Sequence, residues 1–282
     1  MDWLIEPFQL GFQQRALLGG SLAAVALALV GTWVVLRGMS FLGDALVHGV
    51  IPGIALAALF DFNVLVGAVA AAAVMIFGID LVHRQTEFSE DTGIGLLFVG
   101  MLALGVILLS RTPSYSGSLT NILFGDALGV ERGDVVMLGV VLGVSVVASV
   151  LLYRPLLVLA FNEQKARLLG LRPALAHWVL LVLITAVIVG AFQTVGTLLV
   201  FGLLVGPPAT AALLVRRVPV MMVVSALIGV LAVVLGLVLS YHLDTAGSAT
   251  MALIPIVLFF IVLGGRTVIS RRASSHIWES KP

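Results

Sequence analysis

The sequence predicts an all-α polytopic membrane protein, a single bundle of about nine hydrophobic segments. Three observations carry that prediction. Hydrophobic residues make up 61% of the 282 positions and charged residues only 10%, against about 25% charged in a soluble domain. The mean hydropathy is +1.20, an excess of apolar surface that needs lipid around it. Runs such as Ala16–Leu36, Gly93–Leu109 and Val135–Leu152 are long enough to cross a hydrocarbon core of about 30 Å, and they recur along the whole chain. Residues 1–270 therefore read as one transmembrane domain and 271–282 as a short tail.

The segments run roughly over 16–36, 40–59, 63–80, 93–110, 134–153, 175–192, 196–214, 218–240 and 249–265. Several are short or interrupted, which leaves eight or seven full crossings open. The opening stretch "MDWLIEPFQLGFQQR" carries Asp2, Glu6 and a single Arg15. It lacks the basic start of a cleaved signal peptide, so the first segment is expected to belong to the mature protein.

Between the fourth and fifth segments, Ser110–Asp134 is longer than a bundle needs, and its "LTNILFGDAL" core suits a short helix dipping into the interface. Between the fifth and sixth, Tyr153–His177 mixes apolar positions with Glu163, Lys165, Arg167 and Arg172. That pattern predicts an amphipathic helix along one membrane face. The seventh segment, "VGTLLVFGLLVGPPATAALL", breaks its apolar run at Pro207–Pro208 before Thr210. Consecutive prolines free backbone carbonyls one turn earlier, as in helices that line a cavity. The segment reads as a candidate pathway wall or as a kinked span.

Orientation follows from lysine and arginine placement. With nine crossings and a cytoplasmic C-terminus, the N-terminus lies outside. Twelve of the 15 basic residues then face the cytoplasm, from Arg37 and Arg84 to Arg272 and Lys281, and only Arg15, Arg111 and Arg132 face outward.

The second segment, "RGMSFLGDALVHGVIPGIALAALF", holds the informative polar residues. Positions four apart share a helix face, so Ser40, Asp44, His48 and Pro52 form one stripe, flanked by the small residues Ala45, Gly49, Gly53 and Ala57. Small residues let a neighbouring helix approach closely. Pro52 has no N–H for the His48 carbonyl, which leaves that carbonyl for water, a neighbour or an ion. A carboxylate inside a span costs about 2.5–3.5 kcal/mol on insertion scales. Two readings account for that cost. Asp44 and His48 are ligands for one divalent ion, for which an oxygen and an imidazole nitrogen suit zinc or manganese, or they are a proton-sharing pair that holds helices together.

Other ionisable residues read more plainly. His83, His177 and His276 fall at cytoplasmic edges, where histidines are solvated. Tyr241, His242 and Asp244 suit a polar external turn, and Asp61, Asp126 and Asp134 sit at external ends of segments. Arg37 is expected to pair with a carboxylate or a lipid phosphate. The net charge of +1 excludes a basic nucleic-acid binder. With no cysteine, disulfides and thiolate chemistry are excluded. No G-x-x-x-x-G-K-[ST] loop is present for ATP phosphates, and no H-E-x-x-H or G-x-S-x-G motif for hydrolysis.

Several stretches together resemble one family, the metal-uptake ABC transporter permeases of the zinc, manganese and iron type (ABC-3). "LRGMSFLGDALVHGVIPGIALA" resembles its second-span signature, "LTNILFGDALGV" its external Leu-Phe-Gly segment and "NEQKARLLGL" its cytoplasmic coupling helix. "VGTLLVFGLLVGPPATA" is similar to its late Pro-Thr-Ala span and "YHLDTAGSATMAL" to its final external loop. The wording is most similar to the actinobacterial zinc permeases of the Azt type. Two departures stand out: Gly49 where a small alanine is common, and Ala246 where proline is common.

The resemblance implies a permease, not an enzyme, in the bacterial plasma membrane. It would work as a homodimer with two cytoplasmic ATPase subunits and an extracytoplasmic metal-binding protein. It implies that Asp44 and His48 form the intramembrane metal site, and that Asn162, Glu163, Ala166 and Gly170 lie on the helix that engages the ATPase. No cofactor is bound permanently; the cargo is zinc first, with manganese or iron as alternatives. The rival readings are an ion-coupled secondary transporter with Asp44 and His48 as proton relay, and a structural membrane subunit.

Overall fold

The computed structural model describes residues 6–86, 90–111, 130–161 and 173–279. Among them, a short 3₁₀ turn (Glu6–Gln9) is followed by ten α-helices. These are α1 (Gly11–Leu36), α2 (Ser40–Gly49), α3 (Ile51–Phe60), α4 (Val64–Gln85), α5 (Glu90–Leu109), α6 (Arg132–Leu151), α7 (Tyr153–Phe161), α8 (Pro173–Leu214), α9 (Val218–Leu243) and α10 (Gly247–Glu279). They supply nine stretches long and apolar enough to cross a membrane. Two of these crossings differ from a plain helix.

The second is α2 followed directly by α3, with only Val50 between them. Pro52 falls in the first turn of α3, where its missing N–H costs no helical bond. Val50, which closes α2, turns its N–H toward the His48 carbonyl.

The sixth and seventh crossings are both in α8, whose 42 residues would span about 63 Å if straight. The chain reverses instead. Near its start His177 bonds Arg37, just past the end of α1, and near its end the Leu213 carbonyl accepts from Arg266. Helix α9, which follows α8 closely, runs antiparallel to α1, with Gly20 facing Val233 and Gly229 facing Ala24. Both ends of α8 therefore lie on the side where α1 ends. Gly196 is the residue within α8 with non-helical backbone (φ 78°, ψ 163°), a region open essentially to glycine alone.

Helix ends are closed by local devices. After α1, Gly38 adopts positive φ (68°), and the N–H groups of Met39 and Gly38 return to Val34 and Val35, the 6→1 and 5→2 bonds of a Schellman cap. Asp61 after α3 and Asp244 after α9 occupy the same left-handed position, with Phe62 bonded to Ala57 and Thr245 to Ser240. Asn63 caps α4 by accepting from Leu65 at 2.8 Å. Glu131 and Asp134 form a capping box on α6. Asp61, Asp134 and Asp244 are thus boundary residues with a structural task; Asp126 lies outside the described residues.

Burial divides the bundle. The first, second, sixth and seventh crossings have 67%, 72%, 61% and 61% of their apolar windows buried, whereas the fourth, fifth and ninth have 22%, 17% and 22%. Helices α1 and α8 are therefore the axis, with α9, α10, α6 and α2 packed around them. Two apolar cores result. The larger joins Ala23, Leu27 and Trp33 of α1 with Leu42, Leu46 and Val47 of α2 and Leu199, Leu203 and Leu204 of α8. The smaller joins Val50, Ile51, Ile54 and Ala55 around α3 with Ala68 and Ala72 of α4, Leu109 of α5 and Phe192 of α8.

Other expectations fare variously. The Pro207–Pro208 pair does not interrupt its span, because both prolines lie inside α8. The helix of the ninth segment continues through Arg271 and Arg272 to Glu279. The proposed interfacial helix in 112–129 lies outside the described residues. The stretch expected to form an amphipathic helix along the membrane face begins as α7, which tucks Leu156 and Leu159 inward. Asn162, Glu163, Ala166 and Gly170 lie outside the described residues.

Candidate metal site on the second span

Helix α2 is clamped on two sides by contacts that a side chain would forbid. A Cβ on Gly43 would lie 2.3 Å from Leu204 Cδ2 of α8, and one on Gly49 would lie 2.1 Å from Met75 Sδ of α4. With Leu42, Gly43, Ala45, Leu46, Val47 and Gly49 buried, the part of α2 left partly open is Ser40, Phe41, Asp44 and His48. The sequence's polar stripe is thus the open stripe of the helix.

Asp44 and His48 meet on it. His48 Nε2 stands 3.4 Å from Asp44 Oδ1, and their side chains are 22% and 26% exposed. That is longer than the usual N–H···O bond of about 2.7–3.2 Å. Two ligands each about 2.1 Å from one ion stand about 3.4 Å apart at a tetrahedral angle and about 3.0 Å apart at an octahedral one. The pair has the bite of a two-donor chelate. Among the described residues no group of three or more His, Cys, Asp or Glu gathers anywhere, so this chain offers an ion two such ligands here. Incomplete ligation suits a site that an ion must leave as well as enter.

Aromatic rings flank the pair. Phe98 of α5 meets the His48 ring edge-to-face, centroids 5.8 Å apart at 64°, and Phe41 in turn meets Phe98 at 5.5 Å and 71°. On α8, the partly exposed Phe201 reaches within 4.0 Å of the position of a Cβ on Gly43. The polar pair is bordered by apolar surface.

The remaining sequence candidates fall elsewhere. Pro207, Pro208 and Thr210 are buried, and the Thr210 hydroxyl donates to the Gly206 carbonyl at 2.9 Å. They are packed positions in this conformation. Pro52 and Gly53 are buried in α3, and Gly53 faces Gly67 of α4. His177 is not simply solvated: its Nδ1 accepts from Arg37 Nη1 at 2.6 Å. His242 Nδ1 lies 2.9 Å from the Val238 carbonyl of its own helix, within a turn closed by Asp244. The side chains of His83 and His276 lie outside the described residues.

Two residues escaped the sequence reading. Asp80, half-buried near the C-terminal end of α4, is a carboxylate inside an apolar crossing, a signal visible in the sequence. Phe98 sits in an uninterrupted apolar run that gives no sign of its neighbour.

The model of the ABC 3 transport family matches residues 9–265. The chain belongs to the ABC 3 transport family. It is 35% identical over 261 residues to the manganese transport system membrane protein MntC of Listeria monocytogenes, covering 93% of each chain. It is 33% identical over 262 residues to a probable iron transport system membrane protein of Haemophilus influenzae, covering 93% of this chain and 96% of that one. Among solved structures, PsaBC from Streptococcus pneumoniae in complex with Fab matches with a TM-score of 0.82 and 32% identity, covering 92% of this chain and 94% of that one. This ABC 3 member is therefore a multi-pass permease subunit of a metal-uptake importer of the bacterial plasma membrane. It is a transport subunit and not an enzyme, and it serves alongside an ATPase and a substrate-binding partner.

Proposed function

We propose that this permease passes a divalent first-row transition-metal ion inward through Asp44 and His48, with manganese as its cargo. The observation that carries the reading is the pair itself: two donors at chelating distance, on the open stripe of a helix whose other faces are packed. The relatives named for manganese transport favour that metal. Zinc, to which the sequence resemblance pointed, is the competing cargo, because imidazole plus carboxylate serves either ion. Two donors leave most of an ion's coordination to water, to other groups or to a second copy, which fits a homodimer sharing one pathway. Asn162, Glu163, Ala166 and Gly170 would engage the ATPase, whose ATP cycle would drive alternating access; a binding protein would deliver the ion from outside.

The test is uptake of radioactive manganese and zinc into vesicles holding the permease and its ATPase. Wild type is expected to accumulate manganese only with ATP, and Asp44→Ala or His48→Ala to lower uptake at least tenfold while the complex still assembles. Uptake that persists in both variants would overturn the site. Uptake driven by a proton gradient without ATP would favour the relay reading, and preferential zinc uptake would replace the cargo.

A further inference from the structure

We propose that Phe98 is a positioning residue for His48 and, through it, a determinant of which metal the pair prefers. This inference rests on the reading of Asp44 and His48 as the metal site. For the two donors to serve one ion, the His48 ring must turn Nε2 toward Asp44, as it does at 3.4 Å. On its own helix that ring stands on a partly open stripe. The support comes from another helix.

Phe98 of α5 presents its ring at 64° to His48 and at 71° to Phe41, an edge-to-face arrangement favoured by the ring quadrupole. Phe41 and His48 lie seven positions apart, two turns of α2, with Asp44 between them. Phe98 therefore bridges the two turns that enclose the carboxylate. Gly95, one turn before Phe98, faces the Phe41 ring, and a Cβ added there would make ordinary contact with it at 3.7 Å. Helix α5 packs chiefly on α2, α3 and α4 and exposes its other face. The placement of α5 on α2 thus reaches the imidazole through the Phe98 ring.

The consequence for selectivity is chemical. Imidazole contributes more to zinc than to manganese, which leans on oxygen donors. Releasing the ring should weaken zinc more than manganese. The experiment is competitive equilibrium dialysis of radioactive zinc and manganese against the detergent-solubilised permease–ATPase complex, for wild type, Phe98→Leu, Phe98→Tyr, His48→Ala and Asp44→Ala. Loss of an aromatic pair corresponds to about 2- to 12-fold in affinity. Phe98→Leu is expected to lower the zinc-to-manganese binding ratio by a factor in that range, and Phe98→Tyr, which keeps the ring, to restore it. Equal loss of both metals in Phe98→Leu, or an unchanged ratio, would assign Phe98 a purely structural role. If His48→Ala and Asp44→Ala bind both metals like wild type, the site reading itself fails, a result distinct from an unchanged ratio in Phe98→Leu alone.

Discussion

Gly53 and Gly67 turn bare α-carbons toward each other's carbonyl oxygens. A Cβ on Gly53 would stand 1.9 Å from the Gly67 oxygen, and one on Gly67 would stand 2.3 Å from the Gly53 oxygen. Helices α3 and α4 thus touch backbone to backbone, the approach that small residues allow in a membrane. Neither carbonyl can retreat as a flexible side chain would. Gly53→Ala or Gly67→Ala is therefore expected to destabilise the protein by about 1–3 kcal/mol or more, read as a lowered midpoint in thermal unfolding followed by tryptophan fluorescence. Gly100→Ala, with no atom within 4 Å of the added carbon, should leave the midpoint unchanged or slightly raised.

Gly196 reverses α8 with φ 78° and ψ 163°. An alanine there meets backbone strain of about 1–3 kcal/mol, whatever room surrounds it. Gly196→Ala should lower the unfolding midpoint and the yield of folded protein from membranes. A wild-type melting curve would show that the turn is made in another way.

Leu204 is enclosed between two glycines. Its side chain fills the space beside Gly43, and its carbonyl, left without a helical donor by Pro208, lies 1.9 Å from the position of a Cβ on Gly31. Leu204→Ala opens a void in the larger core, for which about 2–5 kcal/mol is the usual cost. It also removes the side chain that backs the turn of α2 carrying Asp44. Metal affinity should fall along with thermal stability, and a loss of stability with unchanged affinity would separate the two.

Arg37 and His177 join the end of α1 to the start of α8 at 2.6 Å. Hydrogen bonds to charged groups contribute about 1.5–3 kcal/mol, so His177→Leu should destabilise by an amount near the lower end, since both groups are only half-buried. His177→Gln keeps an acceptor and should recover part of the loss. Equal melting curves for both variants would mean that the imidazole ring's packing, and not its nitrogen, matters.

Much of this architecture is legible in the sequence because lipid leaves few alternatives. Nine apolar runs mark the nine crossings, and the i, i+4 spacing of Asp44 and His48 brings the pair together wherever their helix forms. Other features escape because they depend on neighbours. The first helix begins at Gly11, five residues before the apolar run, since Gln13 is buried against the bundle. The Pro207–Pro208 pair stays inside α8, and the carbonyl released at Leu204 abuts Gly31, a glycine in another helix. The reversal at Gly196 and the contact of Phe98 with His48 leave no periodic trace in the chain.

The junction of the two apolar cores has a mechanical consequence. Asp44 and His48 ride on α2, whose Val47 belongs to the larger core, whereas Val50, Ile51 and Ile54 belong to the smaller one. Helices α4 and α8 likewise feed both cores, through Ala72 and Met75 on one and Ile188 and Phe192 on the other. The second crossing is therefore one of several continuous stretches of chain that stitch the two cores together, so a void opened in either core is expected to loosen the other.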